Sequence, residues 1–256
     1  MTERTFVSQS SGPVVLGLSL PVGSIRVQVV DGLSAARVVL STDDATGPAA
    51  DAVNRARSQQ DGQALGIEVP EMPGDVMVQG RRGNTVFQSM GTVYGSVTGM
   101  TVINGRVVSG GGNAPTVSMI TATVHLPAGS SLGVVSTSAD ARTFGYLDRV
   151  EFRSVSGDLD VDGVRHLNAS TTSGDISAGC ITQEATARTV SGDISIDLYN
   201  GRTAELNTTS GDVVMQATNQ SSGPVRAHSV SGDVRVSGSR HLNVSARSVS
   251  GRVRTR

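Results

Sequence analysis

Over its last hundred residues the chain alternates apolar and polar positions in short runs, and one phrase punctuates the runs. The phrase reads Ser156-Gly157-Asp158, Ser173-Gly174-Asp175, Ser191-Gly192-Asp193, Ser210-Gly211-Asp212 and Ser231-Gly232-Asp233, and it closes as Ser250-Gly251-Arg252. Two residues after each glycine stand Leu159, Ile176, Ile194, Val213, Val234 and Val253. Four after it stand Val161, Ala178, Ile196, Met215, Val236 and Thr255. The residue between is polar or charged in every copy except Val214. That is period two, the mark of a strand with one face inside. Five residues before each glycine come Phe152, Ala169, Ala187, Leu206, Ala227 and Ala246, and seven before it Val150, Leu167, Ala185, Ala204, Val225 and Val244, on the same parity. Each unit therefore predicts two short strands meeting at a Ser-Gly-Asp corner. Glycine is expected there for its access to positive φ, and the Ser and Asp side chains for bonds to nearby backbone amides.

The copies are 17, 18, 19, 21 and 19 residues apart, and Ser138-Ala139-Asp140 is a worn copy one step upstream. A fixed period of about 20 residues is the signature of a solenoid, each unit one coil stacked on the last. A second corner is expected near Gly163, Gly179, Gly201, Gly223 and Gly238, where the differences in repeat length fall. The fold class is all-β: a single-chain β-solenoid of stacked two-strand coils, with an N-terminal β-rich half and one short helix.

In the N-terminal half, Leu16, Leu18 and Leu20, then Ile25, Val27 and Val29, then Ala36, Val38 and Leu40 alternate in a pattern that predicts antiparallel strands over residues 5–42. Turns are expected at Pro21-Val22-Gly23-Ser24 and Asp31-Gly32. Residues 48–61 are the helix candidate, with Pro48 in the first turn, an apolar stripe of Ala49, Val53 and Ala56, and Gly62 at the end. A strand follows through Leu65, Ile67 and Val69. Residues 71–116 are rich in glycine, with an Asn104-Gly105 hairpin signal and an expected loop near 95–113 around Gly110-Gly111-Gly112. A strand returns at Ile120, Ala122, Val124 and Leu126. The organisation expected is a β-rich half, 1–116, continuous with a repeat solenoid, 117–256.

Composition narrows the function. The formal net charge is −1, which gives no global argument for nucleic acid or an anionic membrane. All 21 basic residues are arginine. Aromatics make up 3%, which suits a thin interior of Val, Ile, Ala, Ser and Thr. The single Cys180 excludes an internal disulfide and a cysteine-based zinc cluster. Met1 to Gln9 lacks a basic patch followed by an apolar run, and no stretch approaches 18 apolar residues, so a cytoplasmic chain without membrane insertion is expected, with surface location left open.

The strand ending in Leu126-Pro127-Ala128-Gly129, followed by Leu132 and Val134 and the Ser-Gly-Asp-aliphatic run, resembles the bacterial "putative adhesin" β-strand-repeat family, domains of otherwise unknown function. The opening Leu20-Pro21-Val22-Gly23-Ser24-Ile25 and the strand before Pro70 are similar too. The resemblance implies a β-repeat fold and, by the family's name, surface attachment.

Candidate chemistry is sparse. His125, His166, His228 and His241 lack metal-ligand spacing, and without lysine no P-loop exists. No cofactor and no catalytic residue is expected. The one column of functional groups is Asp158, Asp175, Asp193, Asp212 and Asp233. Stacked one strand spacing apart, about 4.8 Å, neighbouring carboxylates repel by roughly 1 kcal/mol in water. Corner amides, nearby arginines or bound cations must offset this. Calcium ladders in β-rolls use a different phrase, G-G-x-G-x-D. From Arg240 on there are five arginines and no acid, whereas residues 138–162 hold six acids against three arginines. Arg247, Arg252, Arg254 and Arg256 thus mark an assembly edge, and the opposite charge at the other end of the repeats would favour head-to-tail contact. Three functions fit: a non-catalytic scaffold binding a protein partner or itself through the C-terminal coil, a bactofilin-like filament former, and a carbohydrate-active β-helix enzyme.

Overall fold

The computed structural model describes residues 1–72, 77–82, 85–90, 101–103, 106–109 and 116–256. They form a β-solenoid with two faces. The upstream face holds the strands that lead into the Ser-Gly-Asp corners and the downstream face those that leave them. Leu159, Ile176, Ile194, Val213, Val234 and Val253 stand in one in-register row, joined strand to strand by parallel pairing. Leu167, Ala185, Ala204, Val225 and Val244 form the matching row on the other face. Every apolar position assigned inward from the period-two pattern is buried, down to the coil of Val234 and Val236. Enclosing one such aliphatic side chain contributes about 1.5–3 kcal/mol. Phe152 and Tyr199 are the widest side chains in this interior.

The second corner absorbs the variation in repeat length. The strands Ser138–Arg153, Leu159–Ser170 and Ile176–Arg188 run through it without a break. Their registers slip there, between Thr143 and Tyr146 and between Val164 and His166. Gly223 and Gly238 turn later coils at positive φ of 76° and 68°.

The N-terminal strands are corrected by the structure. Only Thr2–Val7 and Arg37–Thr42 pair antiparallel with each other in this stretch. Val15–Ser19 and Val22–Val30 are the two faces of one more coil, bent at Leu20-Pro21. Val22–Val30 lies between Thr121–Pro127 and the first half of Ser138–Arg153, parallel to both. Val15–Ser19 lies between Ala64–Glu68 and Ser131–Val135. Residues more than a hundred apart in sequence thus alternate in the stack. The acid-rich coils of residues 138–162 consequently lie inside the stack and do not form its end.

The helix is shorter than its apolar stripe predicts. It spans Pro48–Arg55 and buries Ala49, Ala50, Ala52 and Val53 over the first end of the solenoid interior. Ala56 leaves the helix with an extended ψ of 140°. Arg57–Asp61 then pairs antiparallel with Ala64–Glu68 across a two-residue hairpin in which Gly62 has φ 57°. The Asp61-Gly62 pair is thus a hairpin signal, not a helix stop. Thr101–Ile103 and Arg106–Ser109 flank the expected Asn104-Gly105 turn as an antiparallel pair. The turn itself, and Gly110-Gly111-Gly112, lie outside the described residues. Met77–Arg82 pairs with Thr85–Met90 and with Thr116–Ser118 in a small separate sheet.

Candidate functional site

The corners are built from three columns of residues. The first is the aspartate column. The main-chain N–H of each corner residue donates to Oδ1 of the aspartate one coil before. Asp158 thus donates to Asp140 (3.1 Å), Asp175 to Asp158 (3.0 Å), Asp193 to Asp175 (2.8 Å), Asp212 to Asp193 (2.8 Å), Asp233 to Asp212 (2.7 Å) and Arg252 to Asp233 (2.8 Å). A carboxylate accepting an amide bond is a charge-assisted acceptor. The amide dipole offsets the repulsion between stacked carboxylates.

The second column is glycine, and its reason differs from the expected one. None of Gly157, Gly174, Gly192, Gly211, Gly232 and Gly251 has a positive φ. A Cβ on any of them would instead stand 1.9–2.2 Å from the carbonyl oxygen of the equivalent residue one coil before. Glycine is needed because the backbones approach too closely for a side chain.

The third column was not read from the sequence, although it is visible there. Three residues before each corner glycine stand Ser154, Thr171, Thr189, Thr208, Ser229 and Ser248. Thr189 Oγ1 donates to the Gly174 carbonyl at 3.2 Å, Thr208 to Gly192 at 3.0 Å, Ser229 to Gly211 at 2.9 Å and Ser248 to Gly232 at 2.7 Å. The unbroken run of hydroxyls at this offset is the signal that marks it.

The structure spreads the four arginines of the assembly edge. Arg252 occupies the corner, where its N–H closes the aspartate column. Arg254 lies on the downstream face beside Arg235. Arg247 lies on the upstream face beside His228, and Arg256 bonds through its backbone to Val236 and Ser239. What this last coil does present is an uncovered interior. Val253 is 43% exposed where Val234, Val213 and Ile194 are fully enclosed, and Leu242, Val244 and Ala246 are only half-buried.

Among the described residues, surface depressions lie on both faces. One is floored by Gly66, Gly17 and Gly133, with Arg57, Gln59 and Glu68 along one side and Glu151 and Arg153 along the other. The other, on the downstream face, is lined by Arg142, Phe144, Asp160, Asp162 and Asp197, with Arg142 and Asp160 paired at 2.8 Å. Burial pushes the enclosed Tyr199 phenol up, with help from the nearby Glu184 carboxylate. Arg188 bonds Glu205 at 2.8 Å and holds its carboxyl below the ordinary range. Among the described residues no three His, Cys, Asp or Glu side chains converge as a metal site. Cys180 is a half-buried thiol accepting a long bond from Asn200 Nδ2 at 3.8 Å. Among the described residues no helix is long and apolar enough to cross a membrane.

The family model described as Toastrack DUF4097 matches residues 74–256, well over half of the chain. The chain belongs to the Toastrack family. Its fold resembles a crystal structure of a "putative adhesin" from Bacteroides fragilis, at 14% identity and a TM-score of 0.57, covering 100% of this chain and 97% of that one. A "putative adhesin" from Parabacteroides merdae is more distant, at 10% identity and a TM-score of 0.46, with 99% and 95% covered. A "putative lipid binding protein" from Parabacteroides distasonis gives 12% identity and a TM-score of 0.45, with 100% and 97% covered. No curated protein matches the sequence. The Toastrack assignment agrees with the resemblance read from the repeats, and the fold it names is the β-solenoid described above.

Proposed function

We propose that this Toastrack protein is a non-catalytic binding scaffold whose last coil takes a strand from a partner, either another protein or a second copy of the chain. One observation carries the reading. In each earlier coil the N–H two residues past the corner glycine donates forward, to the coil that follows: Leu159 to the Asp175 carbonyl, Ile176 to Asp193 and Val234 to Arg252, all at 2.9 Å. By the same register the Val253 N–H points away from the stack, and among the described residues Asn243–Ser248 and Val253–Thr255 are paired on one side only. A half-exposed row of Leu242, Val244, Ala246 and Val253 lies beside these free groups. Free strand edges with apolar side chains next to them are the surface that strand addition uses. The name adhesin, given to the B. fragilis protein of similar fold, is in keeping with a binding role.

A filament built end to end is supported less. The helix Pro48–Arg55 covers the interior at the first end, so the uncovered coil lacks a matching open coil to dock on. The carbohydrate-active reading is supported less: the corner aspartates stand in a single file, each bonded to the next corner's amide, and in the downstream depression Asp160 is paired with Arg142 and Asp162 accepts from the Gly145 N–H.

The substitution Val253→Pro tests the proposal. It deletes the outward N–H and leaves the inward bonds of Arg252 and Arg256 in place. Crosslinks and pull-down contacts made through residues 242–256, compared in the full chain and in V253P in parallel, should be lost in the variant while its melting curve is unchanged. Equal capture by both proteins would overturn the reading.

A further inference from the structure

The glycine-floored depression on the upstream face is unlike the corners. Gly17, Gly66 and Gly133 all have ordinary strand φ. A Cβ would meet nothing within 4 Å at Gly17, and only ordinary contacts at 3.6 and 3.7 Å at Gly66 and Gly133. Nothing among the described residues requires glycine at any of the three. Glycine inside a strand weakens it, and it marks a place where something approaches closely.

The side chains around this floor say what approaches. Six neighbouring strands present three outward rows, fixed by their registers. The first row is Asp61, Ala64, Val15, Ser131, Arg149 and His166. The second is Gln59, Gly66, Gly17, Gly133, Glu151 and Asn168. The third is Arg57, Glu68, Ser19, Val135, Arg153 and Ser170. Val15 and Val135 are 55% and 58% exposed, and none of Arg57, Glu68, Glu151 and Arg153 makes a salt bridge among the described residues.

A face can dock on a copy of itself about a two-fold axis in its plane. An axis parallel to the strands, midway between Val15–Ser19 and Ser131–Val135, reverses each row onto itself. Glu68 then meets the partner's Arg153, and Asp61 meets the partner's His166. Gln59 meets the partner's Asn168, and Gly17 meets the partner's Gly133. Every remaining large side chain falls on a small one: Arg149 on the partner's Ala64, Glu151 on the partner's Gly66, Arg57 on the partner's Ser170, Val15 on the partner's Ser131 and Val135 on the partner's Ser19. No like charges oppose each other. The perpendicular axis fails this test, because it sets Glu151 against the partner's Glu151 and Arg149 against the partner's Arg153.

We infer that the upstream face over these six strands is a self-docking surface that pairs two antiparallel solenoids face to face, with Glu68–Arg153 pairs on either side of the glycine floor. The overlap measures about 29 Å by 16 Å from strand spacing and rise, on the order of 450 Å² per copy. That lies at the low end of specific interfaces, so the dimer is weak and concentration-dependent. The inference is independent of the strand-addition reading, since the terminal coil lies outside the overlap.

Sedimentation velocity on the full chain over a concentration series tests it. V253P should still dimerise, because the terminal coil lies outside this face. E68R alone sets arginine against arginine, and R153E alone sets glutamate against glutamate, so each should weaken dimerisation at least tenfold. An equimolar mixture of E68R and R153E should recover dimers, because both contacts are complementary in the mixed pair. Both substitutions are on the surface, and unchanged circular dichroism melts would show the fold is intact. A wild type that stays monomeric at the highest concentration overturns the inference. So do single variants that dimerise as well as wild type, or a mixture that stays monomeric.

Discussion

The main-chain N–H of Asp212 donates to Oδ1 of Asp193 at 2.8 Å, one coil before it. Because the acceptor is one oxygen of a carboxylate, asparagine can supply the same bond without the charge. Asp193→Asn should therefore leave stability unchanged or raise it by up to about 1 kcal/mol, the size of the relieved repulsion in water. Asp193→Ala removes the acceptor and should lower stability by about 0.5–1.5 kcal/mol. Urea melts of the two variants check the order, and an asparagine variant less stable than the alanine one would contradict the bond's role.

Two kinds of glycine should respond oppositely to alanine. At Gly192 a Cβ would stand 2.1 Å from the Gly174 carbonyl oxygen. Gly192→Ala must push two coils apart and should cost about 1–3 kcal/mol, the range for overpacking. At Gly17 the space is open, and Gly17→Ala should be neutral or stabilising by about 0.5–1 kcal/mol. Thermal melts at low protein concentration, where self-docking does not contribute, make the comparison.

The buried hydroxyl column gives an isosteric test. Thr189 Oγ1 donates to the Gly174 carbonyl, and the residue is 6% exposed. Thr189→Val keeps the shape and strands a buried acceptor, at a cost of about 1–3 kcal/mol. Thr189→Ser keeps the bond and loses one methyl, about 0.8 kcal/mol. If valine proves the milder change, the column is packing and not hydrogen bonding.

Strand parity is checked at neighbouring positions. Ile194 is fully enclosed, and Ser195 faces outward on the rim of the downstream depression. Ile194→Asp loses about 1.5–3 kcal/mol of aliphatic burial and adds an enclosed charge, so the C-terminal coils should unfold or aggregate. Ser195→Asp should stay within about 0.5 kcal/mol of wild type, as surface substitutions do. Solubility and circular dichroism distinguish them at once.

The repeat period and the parity about each corner glycine were enough, by themselves, to determine the coil, its interior rows and its register, because neighbouring coils are neighbours in sequence. Ile176 meets Ile194 for the same reason that it aligns with it. The hydroxyls three residues before the glycines were equally legible. They went unread because serine and threonine are common near turns for local reasons, and these bond to another coil. The tertiary structure alone decided the rest. Val22–Val30 sits between Thr121–Pro127 and Ser138–Arg153 because parallel pairing places no limit on the length of chain between partners, so nothing local announces it. The apolar stripe at 48–56 suits a helix, yet Arg57–Asp61 becomes a strand because Ala64–Glu68 offers it a free edge. The corner glycines look like turn residues in sequence, and only the stacked backbones reveal the carbonyl that forbids a side chain. Gly17, Gly66 and Gly133 are scattered along the chain. Folding brings them into one row, between charges that no sequence window holds together.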